Sequence, residues 1–200
     1  MPSVEPGYLD RLMRRQSFEA IWPLFALATK PAKELTESFS ALEHLRPWLE
    51  RHEACRVIHV GDGAHARTAA LFALKTRAEN IAVDPTLNAE LVEDWRARFG
   101  VERMAWKKAR IEDVVDELDA LPRLPVFVTF VHAHVDVDAV LDRLRWDAAF
   151  TLACCVPGKQ LSRRRVAHRA GEDWNVLSHE RRYELYVAGE APALEALSPT

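Results

Sequence analysis

The sequence has no excess of charge of either sign: 27 Lys and Arg stand against 30 Asp and Glu in 200 residues, a formal net charge of −3. That balance removes the global electrostatic signature of a nucleic-acid binder and leaves room only for a local basic patch. Cysteine is scarce. Cys55, Cys154 and Cys155 are odd in number and the adjacent pair does not easily bridge to itself, which excludes a disulfide framework and fits a reducing compartment. No apolar run reaches the roughly 18 residues of a membrane span. The N-terminal stretch MPSVEPGYLDRLMRRQ lacks the apolar centre of a secretory leader, so a cytoplasmic protein without membrane partners is expected. Internal repeats and low-complexity segments are missing too, which excludes solenoids and disordered linkers.

What is present is an ordinary globular composition, 48% apolar and 28% charged. At this length one hydrophobic core forms without metal or disulfide staples, and a second full-sized domain would leave both small. Residues 9 to 52 have a helical period, with Leu35, Phe39, Leu42, Leu45 and Leu49 at steps of three and four, and Pro23, Pro31 and Pro47 are expected to cut this stretch into two or three helices. From residue 56 the pattern changes. Short β-rich runs, RVIHV (56 to 60), NIAVD (80 to 84), PVFVTFV (125 to 131) and AAFTLACCV (148 to 156), alternate with segments of helical period. In one of these, Leu87, Leu91, Trp95 and Phe99 form an apolar stripe and Gly100 stands at the C-cap. The runs are apolar throughout rather than alternating, as in a parallel sheet covered by helices on both faces. Near the end, DWNVLS (173 to 178) and RRYELYVAG (181 to 189) are joined by His179 and Glu180 alone, too short for a parallel crossover. The expected architecture is α/β: a Rossmann-like, mostly parallel sheet flanked by helices, with an antiparallel terminal strand pair and a helical N-terminal preface. Residues 1–52 form the extension and 53–200 the sheet domain, in one structural unit.

The first β-rich run enters Gly61-Asp62-Gly63-Ala64-His65-Ala66, followed by a helix-forming run. A strand, a glycine turn and a helix N-terminus make a cradle that lets the backbone approach a ligand and favours negative charge. Ala66 replaces the third glycine of GxGxxG, so dinucleotide binding is a poor match. Asp84, 23 residues beyond Gly61, ends the second strand, where a carboxylate can accept hydrogen bonds from both hydroxyls of a ribose. The bland reading makes the glycines a tight turn and Asp84 a helix cap.

At these residues the chain resembles the class I S-adenosylmethionine-dependent methyltransferases, over roughly residues 50 to 190. The resemblance implies a helical preface, a sheet closing with an antiparallel hairpin strand, and S-adenosylmethionine as cofactor. It places Gly61, Asp62 and Gly63 against the methionine and ribose portions and Asp84 on the ribose hydroxyls. Glu112 and Asp113, after the third strand, are the acids nearest to the position from which the family often contacts adenine. The chain departs from the family pattern at His59, where an acid often precedes the first glycine, and at His65, which replaces the last glycine.

The fourth strand runs into His132-Ala133-His134-Val135-Asp136, at the edge where open α/β sheets bind ligands. Three readings stand here: a metal site of the HxHxD type, a strand end with Asp136 or Asp138 capping a helix, and a catalytic cluster in which His134 is the base, Asp136 orients it, and His132 faces substrate or the opposite side. The metal motif normally has a further His after the Asp, where Val137 stands. No NPPY-like signature follows, so an exocyclic base amine is not indicated as acceptor. Arg163, Arg164 and Arg165, with Arg169, Arg181 and Arg182, are a candidate patch for a phosphate-bearing or nucleic-acid partner, or a solvated helix face. Cys154 and Cys155 read as buried, inert thiols, and Trp95 and Trp106 as core. The function expected is an S-adenosylmethionine-dependent methyltransferase of unknown acceptor; the alternatives are a non-catalytic scaffold of the same shape and a metal-dependent hydrolase using His132, His134 and Asp136.

Overall fold

A computed structural model describes residues 7–13, 18–153 and 160–189. Three helices come first: α1 (Tyr8–Met13), α2 (Phe18–Ala26) and α3 (Pro31–Leu49). Then β1 (Arg56–Val60), α4 (Arg67–Lys75), β2 (Glu79–Val83), α5 (Ala89–Phe99), β3 (Met104–Lys107), α6 (Ile111–Asp119), β4 (Val126–Val131), α7 (Val137–Leu141) and β5 (Ala148–Leu152) alternate, and β6 (Arg169–Glu172) and β7 (Arg182–Val187) close the sheet. The strand order is β3-β2-β1-β4-β5-β7-β6. β1 to β5 run parallel, while β7 is antiparallel to both β5 and β6. This is the mostly parallel, Rossmann-like α/β sheet expected, with an antiparallel terminal pair.

The sheet is covered on both faces, which explains why its central strands β1, β4 and β5 are buried along almost their whole length. Val57 and Phe127 face α1 to α5, in one cluster with Phe25, Leu42, Leu45 and Phe72. Ile58, Val128 and Phe130 face α6 and α7, with Val115 and Leu141. The helical preface is therefore part of the main core: Leu35, Phe39, Leu42, Leu45 and Leu49 of α3 are all buried. A Leu buried in this way is worth roughly 2 kcal/mol of transfer free energy.

Two sequence expectations need correction. Only Pro31 separates helices, by opening α3; Pro23 and Pro47 lie inside α2 and α3. Each removes one backbone hydrogen bond, but Ile21, Leu24 and Phe25 around the first and Leu45 and Leu49 near the second are buried, and that packing outweighs the missing bond. The terminal hairpin is displaced as well. Residues 173–178 form turns rather than a strand, and β6 is RAGE, exposed along its whole length, so its position carried no apolar signal. The bonds from Tyr8 and Ser40 to Asp173 hold those turns against α1 and α3. Cys154 and Cys155 lie outside the described residues.

Candidate functional site

The strand order reverses between β1 and β4, and the C-terminal ends of such a pair are where open α/β sheets bind ligands. A cavity of about 300 Å³ opens there, between the glycine turn after β1 and the N-terminal half of α3. Larger hollows, of about 540 and 470 Å³, open toward the opposite ends of the strands.

The turn is built by glycine where nothing else fits. Gly61 has φ +70°, and a Cβ there would meet the Ala133 Cα and Cβ at 2.9 Å. Gly63 also has positive φ, but no atom lies within 4 Å of the place its Cβ would take. The first glycine thus serves close packing, and the second leaves the turn open. Asp62 between them caps α4: Oδ1 accepts the Thr68 N–H at 3.0 Å and Oδ2 the Ala69 N–H at 2.8 Å. Burial pushes its carboxyl up to about 6, against the lowering effect of these bonds. The helix N-terminus that the sequence offered to an external anion is therefore already held by the chain's own carboxylate.

Asp84, just past β2, accepts the Gly63 N–H at Oδ2 (2.9 Å) and both the N–H and the hydroxyl of Thr86 at Oδ1 (2.7 and 2.5 Å). His59, where the family often has an acid, is buried inside β1 between Thr129 of β4 (2.9 Å) and Asn80 of β2 (3.1 Å). Burial lowers its pKa to about 4, so it is neutral at neutral pH. His65 lies in the cavity wall with its ring stacked on Trp95, and burial followed by the Arg67 charge lowers its pKa.

At the end of β4 the structure separates the two histidines. His132, with φ +57°, lies in the cavity wall. His134 is exposed, and Asp136 caps α7 by accepting the Ala139 N–H at 3.1 Å. Asp138 is the buried acid of this segment. It receives the Ser162 hydroxyl at 2.5 Å, the Arg163 N–H at 2.8 Å and the Arg165 guanidinium at 2.6 Å. Among the described residues no three His, Cys, Asp or Glu side chains are placed to hold a metal ion, which removes the structural basis of the HxHxD hydrolase reading. Two arginines of the candidate patch are paired within the chain. Arg165, and the more exposed Arg164, reach Asp138 of α7 and Asp142 at its C-cap. Glu112 and Asp113 sit exposed in the first turn of α6, outside the cavity wall.

The remaining wall comes from the preface, which the motif reading did not enlist. Lys33, Glu34, Glu37 and Ser38 of α3 face the glycine turn. Arg67 fastens the two sides: its Nη1 meets Glu34 at 2.6 Å and its Nε donates to the Leu24 carbonyl at 2.9 Å. Ser38 and Thr68 share a hydroxyl hydrogen bond at 3.1 Å. Glu37 is 1% exposed, with Oε1 2.6 Å from His132 Nε2 and 2.7 Å from Lys33 Nζ. The only sequence hint was the spacing of Lys33 and Glu37, which shares one helical stripe with an ordinary surface pair.

No family model and no curated protein matches the sequence. Among solved structures, the chain is similar to a point mutant of MtNAS, a nicotianamine synthase, at a TM-score of 0.57 and 15% identity over 84% of this chain and 68% of that one. The complex of MtNAS with MTA and tNA is similar at 0.55 and 15% identity, over 87% of this chain and 69% of that one. The fold is Rossmann-like, of the kind found in methyltransferases. The bifunctional kinase-methyltransferase WbdD shares this methyltransferase fold at a TM-score of 0.50 and 17% identity, over 80% of this chain and 39% of that one. No helix among the described residues is long and apolar enough to cross a membrane.

Proposed function

We propose that the chain binds S-adenosylmethionine in the cavity at the ends of β1 and β4 and transfers its methyl group to a small-molecule acceptor. The observation that carries this reading is the charge at the glycine turn. Asp62 already fills the N-terminus of α4, so a phosphate bound there would meet a second negative charge. A ligand with a cationic sulfur and a neutral ribose meets no such repulsion. The cavity volume lies near the lower end of the roughly 300 to 1,000 Å³ range of small-molecule sites.

The residues present fit this cofactor in two further ways. Gly63 leaves its face of the turn open. Asp84 uses three hydrogen bonds of the about four its carboxylate can accept, and one of those comes from the exposed Thr86 hydroxyl, which a ribose hydroxyl can displace. MtNAS, of similar fold, is known in complex with S-adenosylmethionine, which supports the same cofactor here. Bound S-adenosylmethionine supplies an electrophilic methyl group on a positively charged sulfur. The chain's own contribution is to orient the ligand through the turn and Asp84, and to exclude water by holding α3 over the site through Glu34 and Arg67.

Calorimetric titration of the full chain with S-adenosylhomocysteine tests the reading. Saturable binding is expected, weakened by about 1 to 3 kcal/mol in Asp84→Ala, the cost of losing hydrogen bonds to a charged group. The rival, a non-catalytic scaffold of the same fold, requires no heat at millimolar ligand, and that result rejects the proposal.

A further inference from the structure

The sheet ends on a strand whose outer side is open. Among the described residues β6 pairs with β7 alone, and all four of its residues are exposed. The hydrogen bonding shows which of its main-chain groups face outward. Asp173, next in the same register, donates its N–H to the Arg181 carbonyl at 3.0 Å. Main-chain groups alternate sides along an antiparallel strand, so Arg169 and Gly171 also turn toward β7, while Ala170 and Glu172 present N–H and C=O at the free edge. Such an edge pairs readily with another strand unless proline, lysine or a bulge blunts it. β6 has an unbroken register and contains neither proline nor lysine. Exposed apolar side chains flank it at both ends. Val166 is 66% and Trp174 72% exposed, each four residues from Ala170. With Leu177 they make three of the five large apolar side chains exposed among the described residues, and apolar exposure gathered in one place marks an interaction site.

We infer that β6 is a dimerisation edge, and that it takes β6 of a second copy of this chain, paired antiparallel about a two-fold axis through Ala170. An axis perpendicular to the sheet sets one residue opposite its own mate. Centring the pair on Arg169 or Glu172 would oppose like charges, which destabilises a cross-strand pair. Centring it on Gly171 would place the axis on a residue whose main chain already turns toward β7. Ala170 has an outward main chain and a small side chain, so it can exchange both N–H to C=O bonds with the partner's Ala170. In this register Arg169 falls opposite the partner's Gly171. The missing side chain there leaves the arginine stem a path toward the Tyr183 ring, which lies 3.5 Å from the place a Gly171 Cβ would take. The Val166 end of each copy comes beside the Trp174 end of the other. Pairing β6 with β6 closes after two copies, whereas β6 laid against the opposite edge, β3, would go on growing.

Sedimentation equilibrium of the full chain, joined to amide hydrogen exchange at low and high concentration, tests this. The wild type is expected to pass from the mass of one chain to twice that mass as concentration rises from micromolar to submillimolar. The Ala170 and Glu172 amides are expected to gain protection in step, while the Gly171 amide stays protected throughout. Ala170→Pro removes an outward N–H, keeps the β6–β7 bonds and sets its ring against the partner strand, so it is expected to weaken association at least about tenfold. Should that variant fail to fold, Trp174→Glu, at an exposed position outside the strand, puts a charge beside the partner's Val166 and is expected to weaken association as well. A single-chain mass at every concentration overturns the inference. So does a dimer that the folded variants leave intact, or one in which the Ala170 and Glu172 amides stay unprotected. Protection of these amides in a single-chain species shows the edge covered by the chain itself and likewise overturns it.

Discussion

Gly61 and Ala133 approach so closely at the heads of β1 and β4 that a Cβ on Gly61 would lie 2.9 Å from both the Cα and the Cβ of Ala133. The contact ties the turn after β1 to the segment after β4, both of which border the cavity. Gly61→Ala adds this overlap to left-handed strain and is expected to destabilise the fold by about 2 to 4 kcal/mol. Gly63→Ala has the strain without the overlap and is expected to cost about 1 kcal/mol. Urea unfolding midpoints read the difference. Equal midpoints would mean that the two loops are not packed together in solution.

The two buried titratable groups beside the site oppose each other in their pH dependence. His59 falls from 6.5 to about 4 on folding, so its contribution is present above pH 6.5 and lost as pH falls toward 4. That contribution is on the order of 3 kcal/mol at about 1.4 kcal/mol per unit. Asp62 rises from 3.8 to about 6, so its contribution is present below pH 3.8 and lost as pH rises through 6. Between these limits the two slopes largely cancel in the wild type. Asp62→Asn keeps an oxygen acceptor for α4 and removes the opposing titration. Its unfolding free energy is expected to climb more steeply than the wild type's from about pH 4.5 to 6.5, in denaturant titrations across that interval. A slope equal to the wild type's would place the Asp62 titration outside this window.

Asp173 links three elements that lie far apart in sequence. Its Oδ2 accepts the Tyr8 hydroxyl at 2.5 Å and the Ser40 hydroxyl at 2.7 Å, with His44 Nε2 at 3.5 Å, and Oδ1 accepts the Asn175 N–H at 3.0 Å. Burial opposes ionisation, yet the bonds from His44, Tyr8 and Ser40 win and hold the carboxyl well below its usual range. Its stabilisation is present above the unfolded value of 3.8 and disappears as pH falls through the folded one. Tyr8→Phe removes one of these bonds and is expected to cost about 1 to 3 kcal/mol. Hydrogen exchange of α1 should accelerate before that of β1 and β4. Uniform acceleration would show that α1 does not open separately.

How far the sequence revealed the fold depends on what each segment buries. β1 and β5 are buried at every residue, and their apolar runs marked their starting positions. β6 is exposed along its length, and Trp174 and Val176 in the following turns imitated a strand. The glycine turn and Asp84 were legible because φ > 0 and a strand-ending acid leave residue signatures. Glu37 left none: a glutamate one turn from a lysine on a helix usually faces solvent, and only the packing of α3 over the ends of β1 and β4 buries it. The sequence pattern HxHxD likewise drew attention to His134 and Asp136, whereas local backbone geometry turns Asp136 into a helix cap and leaves His132 beside Glu37.

The role of Asp84 separates a cofactor ligand from a turn fastener. In the free chain it binds the Gly63 N–H and both donors of Thr86. Thr86→Ala removes the hydroxyl donor at 2.5 Å and keeps the main-chain N–H, so one acceptor position on Oδ1 is released. If Asp84 holds ribose, this variant should bind S-adenosylhomocysteine as tightly as the wild type or up to about tenfold more tightly, since no protein hydroxyl has to be displaced, each factor of ten being worth about 1.4 kcal/mol. Asp84→Asn keeps an oxygen for Gly63 but loses the charge and half of the acceptor capacity. It should weaken binding by about 1 to 3 kcal/mol, and with its NH2 turned toward the Thr86 N–H it should also lower the melting temperature. Calorimetry on both variants, with thermal melts as a control for folding, decides the matter. Undiminished affinity in Asp84→Asn would show that the carboxylate serves the turn alone and that the ribose, if bound, is held elsewhere.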